Sequence, residues 1–342
     1  MEQAQAAILR GLLVERKEKL QQSIPGMADA GQLIRLLQEV DAALERMNAG
    51  TYGICKICHT PIEDDYLRAN PIATICLADL SEEERLAMER DLNLASSIQG
   101  KLLPTAVTHL PGWEIVHRYE PLGAVSGDFC DIVRSDINPD ETFFLFGDVS
   151  GKGVAASLLM SHLHAIFRSL AGTGQPLARL VERANRLFCE GTMSSHYATL
   201  VWGRLDGIGN LEVCNAGHCP PMLISGTGIT CIDATGLPVG LFYSGTYETR
   251  SVPLHEGDTL LLYTDGLTET HDLSEDEYGD GRLSSLIAQK GSTLPLDELI
   301  NLCMTDIAAF RGAAPRTDDQ TVMVIRRTVS SSLHKTNTHT NS

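Results

Sequence analysis

The sequence predicts an α/β protein of the α+β type, in which antiparallel sheets are flanked by helices. Two observations carry this prediction. Segments typical of strands outnumber segments typical of helices, and short glycine-containing turns such as 207–210 and 226–228 separate neighbouring strands. Short turns join antiparallel strands, whereas parallel strands need a long crossover connection. A doubly wound parallel sheet is therefore disfavoured.

The predicted elements follow the apolar pattern along the chain. Predicted strands cover residues 113–119, 143–146, 198–205, 211–213, 259–263 and 322–325. Predicted helices of the same region cover residues 154–171, 176–190, 282–289 and 296–310. Because aromatic residues make up only 5% of the chain, we expect a mainly aliphatic core.

Five segments differ in pattern. They are a helical hairpin at 1–48 with a break at 23–26, a cysteine-containing knuckle at 49–80, a linker helix at 81–104, a strand-rich domain at 105–328 and a disordered tail at 329–342. The linker helix begins with a capping-box pair, Ser81 and Glu84, and Pro104 is expected to end it. Met88, Leu92, Ala95 and Leu102 give it an apolar stripe that Gln99 interrupts. This stripe is compatible with a short coiled coil or with packing on its own domain.

Composition limits the partners. The chain has 342 residues, a formal net charge of −17 and a pI near 5.0. Direct binding to nucleic acid or to an anionic membrane is disfavoured, because phosphate contacts need clustered cations. Binding to divalent cations or to a basic protein surface stays open.

The sequence also predicts a cytoplasmic location. No apolar run reaches the roughly 18 residues that a membrane-spanning helix needs, and no signal peptide is evident. Six of the nine cysteines are scattered without paired spacing, which is typical of a reducing compartment.

The other three cysteines form a candidate zinc site. Two residues separate Cys55 from Cys58, Cys76 follows after a further 17 residues, and Asp79 stands where a fourth cysteine is expected. Carboxylate oxygen is a permitted zinc ligand, so these four residues could complete a tetrahedral site, with His59 as a weaker substitute. A knuckle that folds without metal is the alternative.

This region resembles the DksA/TraR zinc-finger family. The matching segments are LERMNAGTYGICKIC at 44–58, PI at 61–62, LRANP at 67–71 and Cys76. In that family the module accompanies contacts with RNA polymerase. The acidic coiled-coil tip that such contacts use is not evident here, so the resemblance implies the fold, while RNA polymerase is only a weak candidate partner.

A set of aspartates indicates a second metal site. They are Asp128 in an SGDF segment, Asp148 and Asp265 after the apolar segments 143–147 and 260–264, and Asp318 and Asp319 before the segment 321–325. A buried carboxylate is costly, and several at one end of a sheet repel each other unless cations neutralise them. Oxygen ligands without nearby histidine or cysteine indicate Mg²⁺ or Mn²⁺. Any one of these aspartates, taken alone, is more typical of a turn.

Together these motifs resemble the PPM-type (protein phosphatase 2C-like) phosphatases, in particular the bacterial SpoIIE/RsbU-like group. The motifs are GDFCD at 127–131, GDVSGKG at 147–153, NAGHCPP at 215–221, GLPVG at 236–240, LYTDGLTE at 262–269 and DDQT at 318–321. The resemblance implies a four-layer αββα sandwich of two antiparallel sheets. It also implies a two-metal serine/threonine phosphatase with two Mn²⁺ or Mg²⁺ ions.

The resemblance assigns roles to individual residues. Asp148 would bridge both ions beside the Val149 carbonyl, and Asp265 and Asp318 would hold an ion from the opposite side. Asp128 would ligate directly or through water, and Asp319 is the candidate if the register is off by one. Two such ions activate a shared water for attack on phosphorus. Asp148, Asp265 and Asp318 are therefore the predicted catalytic residues.

Two further residues have competing interpretations. Lys152, between two glycines after Asp148, could assist substrate binding but is more typical of a solvated turn. His218 could donate a proton, although its Asn-Ala-Gly-His-Cys-Pro-Pro context is more typical of a structural turn.

Regulation and partners follow from the resemblance alone. The linker segment 89–104 resembles the helix that precedes the phosphatase domain in the RsbU-like group, where such helices dimerise and switch the enzyme. We therefore expect a homodimer through this helix, and a phosphorylated protein substrate, a STAS-domain anti-anti-sigma factor of a partner-switching pathway. The alternative is a catalytically silent transcription-associated adaptor that acts through the zinc-finger module.

Overall fold

The computed structural model describes residues 3–23, 31–192, 196–226, 228–290 and 293–328. The chain divides into two compact units, Met1–Asn93 and Leu94–Ser342, and the division falls within one helix, α4 (Glu82–Gly100). The predicted tail at 329–342 and most of the predicted break at 23–26 lie outside the described residues. None of the described helices has the length and apolarity that crossing a membrane requires.

The first unit contains the predicted helical hairpin. Its helices are α1 (Gln3–Ser23), α2 (Gly31–Asn48) and α3 (Asp64–Ala69), followed by a single 3-10 turn at Leu77–Asp79. Leu9 and Leu13 of α1 pack with Val40 of α2, and the same apolar cluster continues to Cys55 and Cys76. The cysteine knuckle thus shares one core with the hairpin.

The second unit contains two antiparallel sheets. One sheet has the strand order β1–β2–β11–β10–β7–β8, formed by β1 (Val107–Leu110), β2 (Trp113–Glu120), β7 (Met222–Ser225), β8 (Gly228–Cys231), β10 (Thr259–Tyr263) and β11 (Gln320–Arg327). The other has the order β3–β4–β5–β6–β9, formed by β3 (Phe129–Arg134), β4 (Thr142–Val149), β5 (Ala198–Leu205), β6 (Asn210–Ala216) and β9 (Arg250–Pro253).

Helices cover the outer face of each sheet. They are α5 (Gly153–Leu170) and α6 (Leu177–Gly191) on the β3–β9 sheet, and α8 (Asp280–Lys290) and α9 (Leu296–Arg311) on the other, while α7 (Asp265–Thr268) is one short turn after β10. This arrangement confirms the predicted αββα sandwich.

Side-chain alternation along the central strands builds the layers. On β4, Phe143 and Leu145 face α5 and α6, whereas Phe144 and Phe146 join the core between the sheets. Successive strand residues point to opposite faces, so a strand buried on both sides is a continuous apolar run. The long apolar runs of the sequence are therefore the central strands of the sandwich.

The linker helix ends earlier than predicted. The sequence predicted a helix up to residue 103, but α4 ends at Gly100. The Lys101 and Leu102 N–H groups bond to the Ile98 and Gln99 carbonyl oxygens, so the helix closes with a tighter turn. Leu102 then packs against the core under α5 and α6, and Leu103 packs against the core between the sheets. Pro104 has no N–H to continue the helix, as the sequence predicted.

Candidate functional site

The second unit places Asp148 where β4 ends and α5 begins. Asp148 is the penultimate residue of β4 and pairs with Thr199 of β5. The chain then turns into α5 through Gly151 (φ 100°) and Gly153 (φ 72°). These φ values are readily adopted only by glycine. The glycines thus permit the sharp turn that leaves Asp148 at the edge of the sheet, as the sequence predicted.

The other sheet brings Asp265 and Asp318 together. Asp265 lies two residues after the end of β10 and Asp318 lies two residues before β11, and these strands pair antiparallel. The end of β10 therefore lies beside the start of β11. A Cβ atom added to Gly266 would overlap the Asp319 carbonyl oxygen, so the approach of the two segments depends on this glycine.

Asp128 connects the two sheets. It directly precedes β3, and its Oδ2 accepts hydrogen bonds from Thr264 Oγ1 (2.9 Å) and Thr321 Oγ1 (2.6 Å) at the β10–β11 end of the other sheet. Only 2% of Asp128 is exposed. This carboxylate is therefore held rigidly at the common edge of the sandwich.

Asp319 is hydrogen-bonded to the loop that precedes β3. Its Oδ1 accepts from the Leu122 N–H (2.6 Å), and its Oδ2 accepts from Ser126 Oγ (2.7 Å) and the Gly127 N–H (3.3 Å). Both carboxylate oxygens thus hold the loop before β3. Asp318 instead accepts at Oδ2 from Lys152 Nζ, at 2.9 Å.

Gly127 allows a second close approach in the cluster. A Cβ atom added there would lie 2.8 Å from Asp148 Oδ1 and 2.8 Å from the Val149 carbonyl oxygen. These two oxygens therefore border the same small space, which no larger residue could share. The pair that sequence reasoning placed beside one metal ion is adjacent in the structure.

The electrostatics of the cluster favour bound cations. Burial is the main cause that raises the pKa of Asp128 to about 8 and that of Asp148 to about 9, and repulsion from neighbouring aspartates adds to both shifts. Burial, then Asp318, also raises the pKa of Asp265. A cation placed among these groups would lower the cost of keeping them ionised.

Lys152 lies at the exposed margin of this cluster. Its ammonium group contacts Asp318 Oδ2 and donates to the Thr317 carbonyl oxygen at 2.7 Å, while 58% of the side chain is exposed. It is therefore tethered at the site and is not a freely solvated turn residue.

His218 lies in the core and shows no hydrogen bond to the aspartates. Its ring nitrogen Nδ1 is 2.9 Å from Thr199 Oγ1, and its ring packs edge-on against Phe146. Burial lowers the pKa of His218 to about 4, so the ring stays neutral. The Asn215 side chain accepts from the His218 N–H and donates to the His218 and Ile232 carbonyl oxygens. This is the structural turn that the sequence favoured.

The first unit brings the four predicted zinc ligands together. One ligand atom from each of Cys55, Cys58, Cys76 and Asp79 lies within 4.8 Å of all the others. Asp79 Oδ2 is 3.2 Å from Cys55 Sγ and 3.1 Å from Cys76 Sγ, and the Cys58 and Cys76 sulfurs are 3.6 Å apart. A tetrahedral zinc with Zn–S bonds of about 2.3 Å separates two sulfurs by about 3.8 Å, so the spacing fits.

Ionisation of this cluster also depends on its surroundings. Burial opposes ionisation of Cys55, but main-chain N–H groups of Cys58, Cys76 and Ile57 outweigh it and lower the pKa of Cys55. The hydrogen bond to Asp79 is the main cause that raises the pKa of Cys76 to about 12. A divalent cation is what would stabilise both thiolates beside the carboxylate.

Sequence reasoning missed several residues that support the aspartates. They are Gln99, Ser126, Thr264 and Thr321, of which Gln99 hydrogen-bonds to the main chain of Ser126. Thr264 precedes Asp265 directly, and Thr321 lies within the DDQT motif, so their places in the motifs were a usable signal. Gln99 gave a different signal, because it was the polar interruption of an apolar stripe.

Comparison with known proteins supports both modules. The family model "Stage II sporulation protein E (SpoIIE)" matches residues 138–328, and the model "Prokaryotic dksA/traR C4-type zinc finger" matches residues 50–78. Asp79 follows the second match directly, at the point where this chain departs from four cysteines. Both resemblances found in the sequence are thereby confirmed.

Individual relatives are distant. Protein IcfG of Synechocystis sp. is 26% identical over 288 residues, which are 75% of this chain and 44% of the relative. Phosphoserine phosphatase RsbP of Bacillus subtilis is 26% identical over 194 residues, covering 55% of this chain and 47% of RsbP. The chain thus spans less than half the length of these two relatives.

The fold comparison agrees. The SiaA-PP2C domain of Pseudomonas aeruginosa superposes with a TM-score of 0.61 at 20% identity, covering 71% of this chain and 98% of that domain. The sandwich is therefore a PP2C-type fold. With the SpoIIE model covering more than half of the residues, including Asp148, Asp265 and Asp318, the chain belongs to the SpoIIE family.

Proposed function

We propose that residues 105–328 are a metal-dependent protein phosphatase that hydrolyses phosphoserine or phosphothreonine. The observation that carries the proposal is the convergence of four aspartates at one edge of the sandwich. Asp128 and Asp148 come from the ends of β3 and β4 in one sheet, and Asp265 and Asp318 come from the ends of β10 and β11 in the other. The relative RsbP, whose name is phosphoserine phosphatase, supports the substrate class.

The donor set fits two Mn²⁺ or Mg²⁺ ions. All the converging groups are carboxylate or carbonyl oxygens, which these hard cations prefer. Asp148 and the Val149 carbonyl border one space, and Asp265 and Asp318 would hold an ion from the other side. Asp128 would contribute directly or through water. Asp319 is assigned a positioning role, because both of its oxygens already accept hydrogen bonds.

Each part of the site would have a separate task. The ions, when bound, would lower the pKa of a water molecule and stabilise negative charge on the phosphoryl group. The chain's own residues would fix the ligand oxygens before substrate arrives, since Thr264 and Thr321 hold Asp128 from the opposite sheet. Lys152 would offer positive charge at the exposed margin, where the anionic phosphate enters.

Hydrolysis of p-nitrophenyl phosphate tests the proposal. We expect activity in Mn²⁺ that EDTA removes and that Asp148→Asn lowers by about a hundredfold or more. Metal ions contribute several kcal/mol to such reactions, and about 1.4 kcal/mol is a factor of ten. The exposed Asp136→Asn is the matched control and should keep full activity. A folded, Mn²⁺-loaded protein that hydrolyses nothing would instead favour the silent adaptor.

The protein substrate is proposed from the same relatives. We propose a phosphorylated STAS-domain anti-anti-sigma factor, because the motifs of this chain resemble the SpoIIE/RsbU-like group and the relative RsbP is named a phosphoserine phosphatase. Phosphate release from phosphorylated STAS proteins, compared with phosphorylated casein at equal phosphoserine concentration, is the direct assay. Equal rates on both would contradict the assignment.

For the first unit we propose a bound Zn²⁺ held by Cys55, Cys58, Cys76 and Asp79. The support is the spacing of the four ligand atoms and the match to a C4-type zinc-finger model. Contact of this module with RNA polymerase and a cytoplasmic location of the protein stay predictions.

The linker helix also supports a homodimer. The sequence placed its apolar seam at Met88, Leu92, Ala95 and Leu102, but Leu102 is packed against the core of the second unit. The exposed apolar residues nearby are Leu94, 61% exposed, and Ile98, 54% exposed. They are four residues apart and lie on one face of α4. We propose this face as the one that a second copy of the chain would cover.

A further inference from the structure

A glutamine on the linker helix is buried beside the aspartate cluster. Gln99 lies on the last turn of α4 and is only 5% exposed, although it is a polar residue. Its Nε2 donates to the Ser126 carbonyl oxygen at 2.8 Å, and its Oε1 accepts from the Ser126 N–H at 3.0 Å. The oxygen and the nitrogen of the Gln99 amide are therefore both hydrogen-bonded to the main chain of Ser126.

Ser126 passes this constraint to the candidate metal ligands. Its Oγ donates to Asp319 Oδ2 at 2.7 Å and accepts from the Asp128 N–H at 3.0 Å. The next residue, Gly127, lies directly against Asp148 and the Val149 carbonyl. The Ser126 main chain thus helps to position Asp128, whose carboxylate Thr264 and Thr321 also hold, and it borders the space beside Asp148.

We propose that Gln99 is a positioning residue for the metal site, which it acts on through Ser126. The proposal rests on the proposed metal site, but it concerns binding and not turnover. An apolar residue at position 99 would fill the same volume without fixing the Ser126 peptide. The Ser126–Asp128 segment would then sample other positions, and the ligand oxygens would be less well placed for a cation. Partners one step behind metal ligands typically contribute about 10–100-fold in affinity.

The burial of an amide in this place agrees with such a role. A buried polar group costs free energy unless it is hydrogen-bonded, and a leucine at position 99 would leave the Ser126 N–H and carbonyl oxygen without these partners. Gln99 is instead matched to both main-chain groups of Ser126. Because α4 contains the division between the two units, Gln99 links the segment that connects them to the edge of the catalytic sandwich.

The test is Mn²⁺ binding by isothermal titration calorimetry to the full-length chain. Gln99→Met keeps the length of the side chain and removes both hydrogen bonds, and we expect the dissociation constant to rise about tenfold. Gln38→Met makes the same exchange at an exposed position of α2 and should leave it unchanged. The melting temperature in EDTA is measured for each variant, because a merely structural role would lower it without weakening Mn²⁺ binding in the folded protein.

Ser126→Ala provides a second, smaller change. It keeps the main-chain groups that Gln99 contacts but removes the hydroxyl between Asp319 and Asp128. We expect weaker Mn²⁺ binding here too. In the double variant the loss of Mn²⁺ affinity should be smaller than the product of the two single losses, because both side chains act through the Ser126–Asp128 segment. Wild-type affinity in both folded single variants, or fully multiplicative losses, would overturn the proposal.

Binding and turnover separate the two proposals. A wild-type protein that binds Mn²⁺ without hydrolysing phosphate would refute the proposed activity, while the role of Gln99 would still be decided by the titrations. A wild-type protein that binds no Mn²⁺ would overturn both.

Discussion

The two candidate metal sites are assembled in opposite ways. The cysteine cluster collects its ligands from residues 55–79 of one short segment, on tight turns. The aspartate cluster collects its ligands from residues 128 to 318, at the ends of strands in two different sheets. The local site can form wherever its own segment folds, whereas the distant one exists only when the whole sandwich is in register.

This difference teaches how metal binding couples to folding in each case. A local thiolate site contributes its binding free energy to the stability of the segment that carries it. Asp128 and Asp318, in contrast, are already held by hydrogen bonds, Asp128 from Thr264 and Thr321 and Asp318 from the Asp319 N–H. We therefore expect chelators to disturb the structure of the first unit and the activity of the second.

The largest effect is expected at the cysteine site. Cys55→Ser should weaken zinc binding by about a thousandfold, since structural zinc contributes roughly 10–16 kcal/mol through four ligands and about 1.4 kcal/mol is a factor of ten. Competition with a chromogenic chelator measures the zinc affinity, and the exposed Cys231→Ser is the control.

Asp79→Cys should tighten zinc binding, because thiolate is the softer ligand. Unchanged zinc retention in Cys55→Ser would mean that the ligands lie elsewhere.

A smaller effect is expected from the paired aspartates at 318 and 319. Asp318→Asn should lower Mn²⁺-dependent hydrolysis by about a hundredfold, because a ligand is lost. Asp319→Asn should mainly lower the melting temperature in EDTA, because an amide cannot accept at both positions from Leu122, Ser126 and Gly127. Phosphatase assays and thermal melts of both variants measure this. The reverse pattern would show that the ligand register is off by one.

The smallest effect is expected from substitutions on the exposed face of α4, which lies between the two sites along the sequence. Leu94→Glu combined with Ile98→Glu should weaken self-association at least tenfold, since burying the exposed half of each side chain is worth about 1 kcal/mol. Sedimentation equilibrium measures the change, with the exposed Ile137→Glu as the control. A wild-type chain that stays monomeric at all concentrations would remove the homodimer proposal.

Much of the sandwich could be predicted because burial leaves a pattern in the sequence. The strands β5 and β10 have the predicted limits, since both faces of each are buried and the apolar run begins and ends with the strand. The strands β1 and β9 were missed, because they are short and mostly exposed and so lack such a run. β3 was missed because its apolar pattern is broken by Asp131, whose buried carboxylate pairs with Arg168 and His164.

The candidate site, like the sandwich, could be predicted only in part. Its aspartates were predicted because several carboxylates beside apolar strands occur in one chain, although any one of them alone is more typical of a turn. Their supporting partners were not, because Gln99 is 27 positions from Ser126, and Thr264 and Thr321 are 136 and 193 positions from Asp128. Only the folded topology shows which polar residue meets which. Asp79 was found because it replaced a cysteine in a local pattern.

The residues that follow α4 have a consequence for how a movement of this helix could reach the sandwich. Leu102 and Leu103 are anchored in two different layers of the sandwich, and His164 Nε2 lies 3.0 Å from the Leu102 carbonyl oxygen. The end of the helix is thus anchored in the packing of the second unit. A displacement of the end of α4 would therefore disturb the two apolar layers that Leu102 and Leu103 enter.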